Sequence, residues 1–233
     1  MGVSTKPREK MISSLLIAFD AYERNKKVAS LLKKDETVLD VGGGVTGIKL
    51  FTENPVKTLD MGEADITADA RRLSIAPGSF DVVTCVDVLE HIPKKDRRSF
   101  IESIYKIAKK RLIIAAPFKS PKHSEAEKRL LAELIKKGKR VAFLEEHVKL
   151  GLSEVKEALI GKGAKVFYSG DFRFSNFLFK LQIYESGVVL FDKLLLILKW
   201  KLNILTNIFL YPFWFYNTPS EYSNRFYVVI QKK

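Results

Sequence analysis

The sequence predicts an α/β fold, a mostly parallel sheet with helices on both faces, and three observations carry that prediction. Short apolar runs alternate with amphipathic stretches from Thr37 to Tyr168, the pattern of strand–helix–strand units. The first run ends in Asp40-Val41-Gly42-Gly43-Gly44-Val45-Thr46-Gly47, where glycines allow a strand to turn sharply. A closing apolar run, Phe226–Ile230, stands beyond a long apolar stretch that breaks the alternation.

Taken in order, Leu15, Leu16, Phe19 and Tyr22, then Val28, Leu31 and Leu32, recur at helical spacing, so residues 1–34 read as an N-terminal helical segment. The remainder, 35–233, reads as one domain. Thr37–Val41 is its first strand, and a helix is expected to follow through Lys49–Phe51. Val56–Leu59 and Ile66–Thr67 read as short strands, and Phe80–Val86 as a strong one. Asp96–Lys109 has the polarity of a surface helix, and Leu112–Ala116 is the next strand. Helices are expected at Ser124–Lys137 and Ser153–Ile160, the latter ended by Gly161 and Gly163, with Ala164–Tyr168 as a further strand. Residues 174–222 then form a helical apolar insertion before the last strand.

Charge is distributed unevenly. The chain carries +13 overall, yet residues 35–93 hold eleven acidic and four basic side chains, a balance of −7. That acidic segment contains the glycine run. The single cysteine, Cys85, excludes an intrachain disulfide and a cysteine-based zinc site; within a strand it reads as a small buried side chain. Met1–Lys10 is basic but leads into no signal-peptide core, so the expected location is the cytoplasm.

G-x-G-x-x-G at Gly42, Gly44 and Gly47 is shared by several nucleotide-binding folds and is weak alone. Three acids sharpen it. Asp60 ends the second strand, where a carboxylate can accept from both hydroxyls of a ribose. Asp69 ends the third and could accept from an adenine amino group. Asp40 separates the candidates: a pyrophosphate gains nothing from a carboxylate there, whereas a cationic sulfonium does. A nicotinamide oxidoreductase is disfavoured on that ground.

As an ordered set, Val38–Gly47, Thr58–Asp60, Ala68–Leu73 and Gly78–Pro93 resemble the class I S-adenosylmethionine-dependent methyltransferases. Asp69-Ala70-Arg71-Arg72-Leu73, Gly78-Ser79-Phe80-Asp81-Val82-Val83 and Val88-Leu89-Glu90-His91-Ile92-Pro93 are most similar to the broad small-molecule, type 11 group that includes quinone-ring methyltransferases. The resemblance covers roughly residues 36–118 and departs from the common third glycine at Thr46. It implies a Rossmann-like sheet of seven strands, the last inserted antiparallel between the fifth and sixth. It also implies S-adenosylmethionine as cofactor. Asp40 and Gly42 would line its methionine end, Gly44 and Gly47 would shape the turn, and Asp60 would hold the ribose. Asp69 and Ala70 would meet the adenine, and Asp87 would lie near the methionine portion or the acceptor.

Methyl transfer from a sulfonium is an in-line displacement, in which positioning supplies much of the catalysis. A base is required only if the acceptor must lose a proton. His91, just after the fourth strand, is the first candidate; a packing role at a helix start competes with it. His147, in the segment Phe143–Leu152, is the second, against the alternative of a solvated helix end. That segment resembles one in methyltransferases of surface-glycan synthesis. His123 reads as a surface residue, and the three histidines share no metal-ligand spacing, so no metal site is expected.

The expected acceptor is a small molecule, lipid-linked or glycan-like. An RNA or other nucleic-acid methyltransferase is the alternative, disfavoured because the basic runs Lys94–Arg98 and Lys136–Arg140 are short and mixed with acids. A non-catalytic module that keeps the cofactor is the other. In the insertion, Asp192, Lys199, Asn203, Thr206 and Asn207 gather on one side of a helix, with Lys193 at the margin and Lys201 opposite. Phe174–Tyr216 is therefore read as an acceptor lid whose part Gly187–Tyr216 meets an anionic membrane surface, on the inner face of the membrane. An oligomer interface is the competing reading. A spanning helix is disfavoured by the charges between 192 and 201 and by Pro212.

Overall fold

The computed structural model describes residues 7–160 and 163–232; Met1–Lys6 and the expected helix-ending Gly161 lie outside the described residues. Two helices come first, α1 (Pro7–Leu16) and α2 (Phe19–Ser30). The alternating part follows as β1 (Val38–Val41), β2 (Val56–Asp60), β3 (Ile66–Thr67), β4 (Phe80–Val86), α3 (Lys94–Ile107) and β5 (Ala108–Pro117). Next come α4 (Pro121–Lys136), α5 (Ala142–Leu150), α6 (Val155–Ala158), β6 (Lys165–Asp171) and α7 (Phe172–Gln182). The chain closes with α8 (Val189–Leu205), β7 (Phe215–Tyr216) and β8 (Ser223–Gln231).

Among the described residues the sheet has eight strands in the order β3-β2-β1-β4-β5-β8-β6-β7. The first five of that order run parallel, and β8 is inserted antiparallel between β5 and β6. This is the expected α/β arrangement with one strand more. The extra strand, β7, is two residues at the end of the insertion that pair antiparallel with Tyr168 and Ser169 of β6.

Alternation within each central strand feeds two cores, because successive side chains point to opposite faces. Val83, Ile114 and Val228 pack on one face with Phe100, Ile101 and Ile104 of α3. Their neighbours Val82, Ile113 and Tyr227 pack on the other with Val28 of α2. A third cluster, Leu130 and Leu134 of α4 with Leu144 of α5, gathers Phe179 and Ile183 to it.

Several local expectations are corrected. The run after the glycines is a tight 3-10 turn, Gly47–Phe51, because positive φ at Gly47 and the closeness of Asp40 leave no room for a regular first helical turn. Ser153–Ile160 forms only the short α6, begun by a reciprocal capping box of Glu154 and Glu157. His123 is buried, not a surface residue: Ser120 caps α4 by accepting from the His123 backbone N–H, and the ring stacks on Phe172 with Nδ1 2.8 Å from the Phe118 carbonyl. Pro212 does not interrupt the insertion helix, since α8 continues through a π turn, Thr206–Leu210, and a 3-10 turn, Tyr211–Phe213. The whole Val189–Phe213 is long and apolar enough to cross a membrane, by length and composition only.

Under α2 lies a buried ionic network. Arg225 of β8 donates from Nε to Glu23 (3.2 Å), from Nη2 to Asp20 (3.3 Å) and from Nη1 to Asp87. The Tyr227 hydroxyl donates to the other Glu23 oxygen at 2.7 Å. Burial still pushes the Glu23 carboxyl up to about 7, against the lowering effect of Arg225. Removing Arg225 strands the buried Glu23, while Asp20 and Asp87 keep Arg24, so Arg225→Met is expected to cost about 3–5 kcal/mol of stability. Urea unfolding at neutral pH measures it, and a loss below about 1 kcal/mol would show that the network does not support the fold.

Candidate active site

The site is built at the C-terminal edge of the parallel strands, where β1 and β4 run side by side with Asp40 opposite Thr84. Asp40 is buried; one oxygen accepts from the Thr84 hydroxyl at 2.7 Å and the other from the Ile48 backbone N–H at 3.0 Å. Burial raises its carboxyl to about 6, and those two hydrogen bonds oppose the rise. The glycine loop wraps this carboxylate. A Cβ at Gly47, where φ is +43°, would lie 2.1 Å from Asp40 Oδ2, and one at Gly42, where φ is +82°, would lie 2.3 Å from Val88 Cγ2. Any side chain at either place would push the loop off the strand ends.

A cavity of about 750 Å³ opens over this loop. Of the residues singled out from sequence, Asp40, Gly42, Gly47, Asp87, His91 and His147 line it. Gly44, Asp60, Asp69 and Ala70 do not. Asp60 stands beside the loop at the end of β2, where one oxygen accepts from the Gly62 N–H at 2.9 Å. Asp69 is held by Arg71, whose Nη2 reaches it at 2.7 Å, and the Arg71 side-chain and backbone hydrogen bonds depress its carboxyl to about 2. Ala70 packs against the core. Asp87 has φ of +52° and faces two guanidiniums, with Arg24 Nε at 3.2 Å and Arg225 beside it.

The two imidazoles that sequence leaves 56 positions apart meet in space, ring centres 5.1 Å apart. His91 Nδ1 is 2.5 Å from Glu146 Oε2, and His147 Nδ1 is 2.9 Å from Glu127 Oε1. A carboxylate on Nδ1 fixes the tautomer and leaves Nε2 free to accept a proton or bind a ligand. His147 Nε2 lies 3.9 Å from Glu90 Oε1. Glu90 is fully buried, and neither of its oxygens has a hydrogen-bond partner among the described residues. Burial pushes its carboxyl up to about 8, so it is mainly protonated at neutral pH.

Two expectations change here. His147 is buried against Glu127 and is no solvated helix end. No ligand set was expected from spacing, yet Glu90, His91 and His147 each offer one donor atom within 4.8 Å of the others, a group able to hold a divalent cation. The fold joins them by laying α5 against the Leu89–His91 turn. Sequence reasoning missed Glu127 and the roof that α7 provides through Asn176, Phe179 and Gln182. A signal existed for Glu127, since His123, Glu127, Leu130 and Leu134 share one helical face and all are buried.

The methyltransferase domain family matches residues 16–115. Among curated proteins, the ubiquinone biosynthesis O-methyltransferase of Colwellia psychrerythraea is 39% identical over 82 residues, covering 32% of this chain and 32% of that relative. The protein of the same name from Pseudomonas paraeruginosa is 34% identical over 95 residues, covering 32% of this chain and 40% of its own. The match thus spans well under half the length of these relatives. Among solved structures, a possible histamine N-methyltransferase from Thermotoga maritima aligns over 97% of this chain and 95% of its own, with TM-score 0.51 and 16% identity. An S-adenosylmethionine-dependent methyltransferase from Archaeoglobus fulgidus aligns over 92% and 95%, with TM-score 0.50 and 14% identity. Those likenesses show the fold.

Glu90 supplies a pH test. A carboxyl that binds its proton more tightly folded than unfolded stabilises the fold below about 4.5 and loses that contribution as pH rises to about 8. Glu90→Gln keeps the shape and removes the ionisation. The variant should lose less stability than the parent between pH 5 and pH 9, by about 2 kcal/mol or more. Parallel thermal unfolding curves with identical pH dependence would refute the assignment.

Proposed function

We propose that this chain, whose residues 16–115 are a class I S-adenosylmethionine-dependent methyltransferase domain, methylates a hydroxyl group of a small molecule bound under the α5 and α7 roof. One observation carries this reading: the glycine loop and two carboxylate-oriented imidazoles share a single cavity. The residues present fit the cofactor. The loop turns on glycines with left-handed backbone, it wraps a buried carboxylate, and Asp60 stands beside it at the end of β2 for a ribose. When bound there, S-adenosylmethionine supplies an electrophilic methyl group on a sulfonium.

The chain's own residues then have definable tasks. Asp40 holds the loop through the Ile48 N–H and places negative charge behind it. Arg24 and Arg225 fix Asp87 at the mouth of β4. His91 and His147 can take the proton that a hydroxyl must lose, while Glu146 and Glu127 stabilise the imidazolium that results. Glu90, uncharged at neutral pH, faces the pair without competing for the proton. The names of the two curated relatives, O-methyltransferases of ubiquinone biosynthesis, support a hydroxyl acceptor.

A nucleic-acid acceptor finds less support. In the basic runs, Arg97 is buried against backbone carbonyls and Glu157, Arg98 pairs with Glu102, and Arg140 pairs with Glu145. Arg97 is thus spent within the fold, and Arg98 and Arg140 stand beside acids that repel a phosphate backbone.

Replacing Asp60 by Ala removes a charged acceptor, and S-adenosylmethionine affinity should fall about ten- to a hundredfold by calorimetry. Unchanged affinity would dismiss the ribose assignment, and tighter binding of NADH would dismiss the cofactor. His91→Gln and His147→Gln should retain cofactor affinity while at least one lowers kcat by roughly a hundredfold or more. If neither variant slows turnover by more than about threefold, the two imidazoles are not the base and that assignment fails.

A further inference from the structure

The helix α8 is turned inside out. In a helix lying on a water-soluble protein, polar side chains face water and apolar ones face the core. Here the polar side is the docking side. Lys199 Nζ donates to the carbonyls of Gln182 (2.8 Å) and Tyr184 (2.7 Å), where α7 ends. Asn203 donates to the Leu16 carbonyl at 2.8 Å and accepts from Gln182 Nε2 at 2.7 Å. Asn207 donates to the carbonyls of Leu15 and Ile17, both at 3.0 Å. These bonds satisfy backbone carbonyls at the α1–α2 junction and the α7 terminus that would otherwise need water. Lys199 is used inward with the rest of that stripe.

The outward side is apolar. Leu190 is 81% exposed, Phe209 68% and Phe213 85%, and Met11 and Ile12 of α1 extend the same kind of surface. Only Lys193 and Lys201 interrupt it as exposed charges on α8, since Asp192 is held by Ser186. A face this long and apolar is not left to water.

We propose that α8 and α1 lay this protein on an anionic bilayer, with α8 in the plane of the membrane and its outward face in the headgroup–acyl boundary. The charges select this occupant. A second copy docked by two-fold symmetry would bring the same lysines into one dry apolar interface, whereas anionic headgroups neutralise them and let their stems snorkel. The whole chain, at +13, favours the same partner. Spanning is rejected by the docking stripe. To cross, α8 would have to pull Lys199, Asn203 and Asn207 from their partners and carry them into hydrocarbon. Ile17 and Gln182, which grip α8, also line the site cavity, so docking sets that cavity beside lipid. On the methyltransferase reading, an acceptor with an apolar tail would reach the site from the bilayer. The membrane docking does not depend on that reading.

The test is co-sedimentation of the full chain with vesicles of phosphatidylcholine alone and of phosphatidylcholine mixed with phosphatidylglycerol. Binding should favour the anionic vesicles by roughly tenfold or more and weaken as salt rises. Combining Leu190→Gln, Phe209→Gln and Phe213→Gln should reduce it at least about tenfold with unchanged S-adenosylmethionine affinity, because these side chains touch neither cavity nor core. Lys193→Glu with Lys201→Glu should abolish the preference for anionic lipid. The proposal is overturned if neither vesicle binds the parent chain, or if the apolar substitutions disperse a dimer and leave vesicle binding untouched. Bound protein that resists alkaline carbonate would also overturn it, in favour of a spanning helix. Vesicle binding by a chain that methylates nothing would overturn only the enzymatic reading.

Discussion

The buried guanidinium of Arg225 is the point on which the architecture turns. It sits on the antiparallel strand nearest the C-terminus and reaches Glu23 and Asp20 of α2 and Asp87 after β4. Three distant parts of the chain are joined through one cation in low dielectric. The geometry leaves little freedom, because the buried Glu23 carboxylate and the buried guanidinium each depend on the other for charge compensation. Placement of α2 follows from this contact, and with it the α1–α2 junction that supplies one cavity wall and receives Asn203 and Asn207. The cavity, its wall and the anchoring of α8 are therefore mechanically linked.

Within the site, negative charge is placed with care about its protonation state. Asp40 stays close to ionised through two hydrogen bonds despite burial, and outside the cavity Asp69 is held ionised by Arg71. Glu90, with no such partner, keeps its proton. The same desolvation acts on Asp40 and Glu90; hydrogen bonding separates them. That separation lets acidic residues close to one another serve a cationic ligand, an imidazole pair and a neutral wall.

Arg97 performs a quieter task. From α3 its guanidinium donates to the carbonyls of Ile92 and Leu152 and to Glu157, closing the end of α5 against the segment that follows His91. In the sequence it stands in the short basic run Lys94–Arg98. Its burial shows why a charged cluster cannot be assigned to solvent by composition alone. One member of such a run can be the internal brace while its neighbours face water.

Period and turn chemistry made much of this protein legible without coordinates. Alternating runs at Phe80–Val86 and Leu112–Ala116, glycines directly after Val38–Val41 and acids at the strand ends determine a sheet edge built for a nucleotide-like cation. These are local signals, carried by neighbouring residues, and they survive in the structure with shifted ends. What sequence could not show is anything that depends on which faces meet. His91 and His147 become a pair only because α5 packs on the Leu89–His91 turn, and His123 becomes a core residue only because α4 turns its first face inward. The polar stripe of α8 was visible as a stripe, but whether it faced water or protein was not. Tertiary packing decided that, because the unpaired carbonyls at the ends of α1 and α7 needed donors more than the stripe needed solvent.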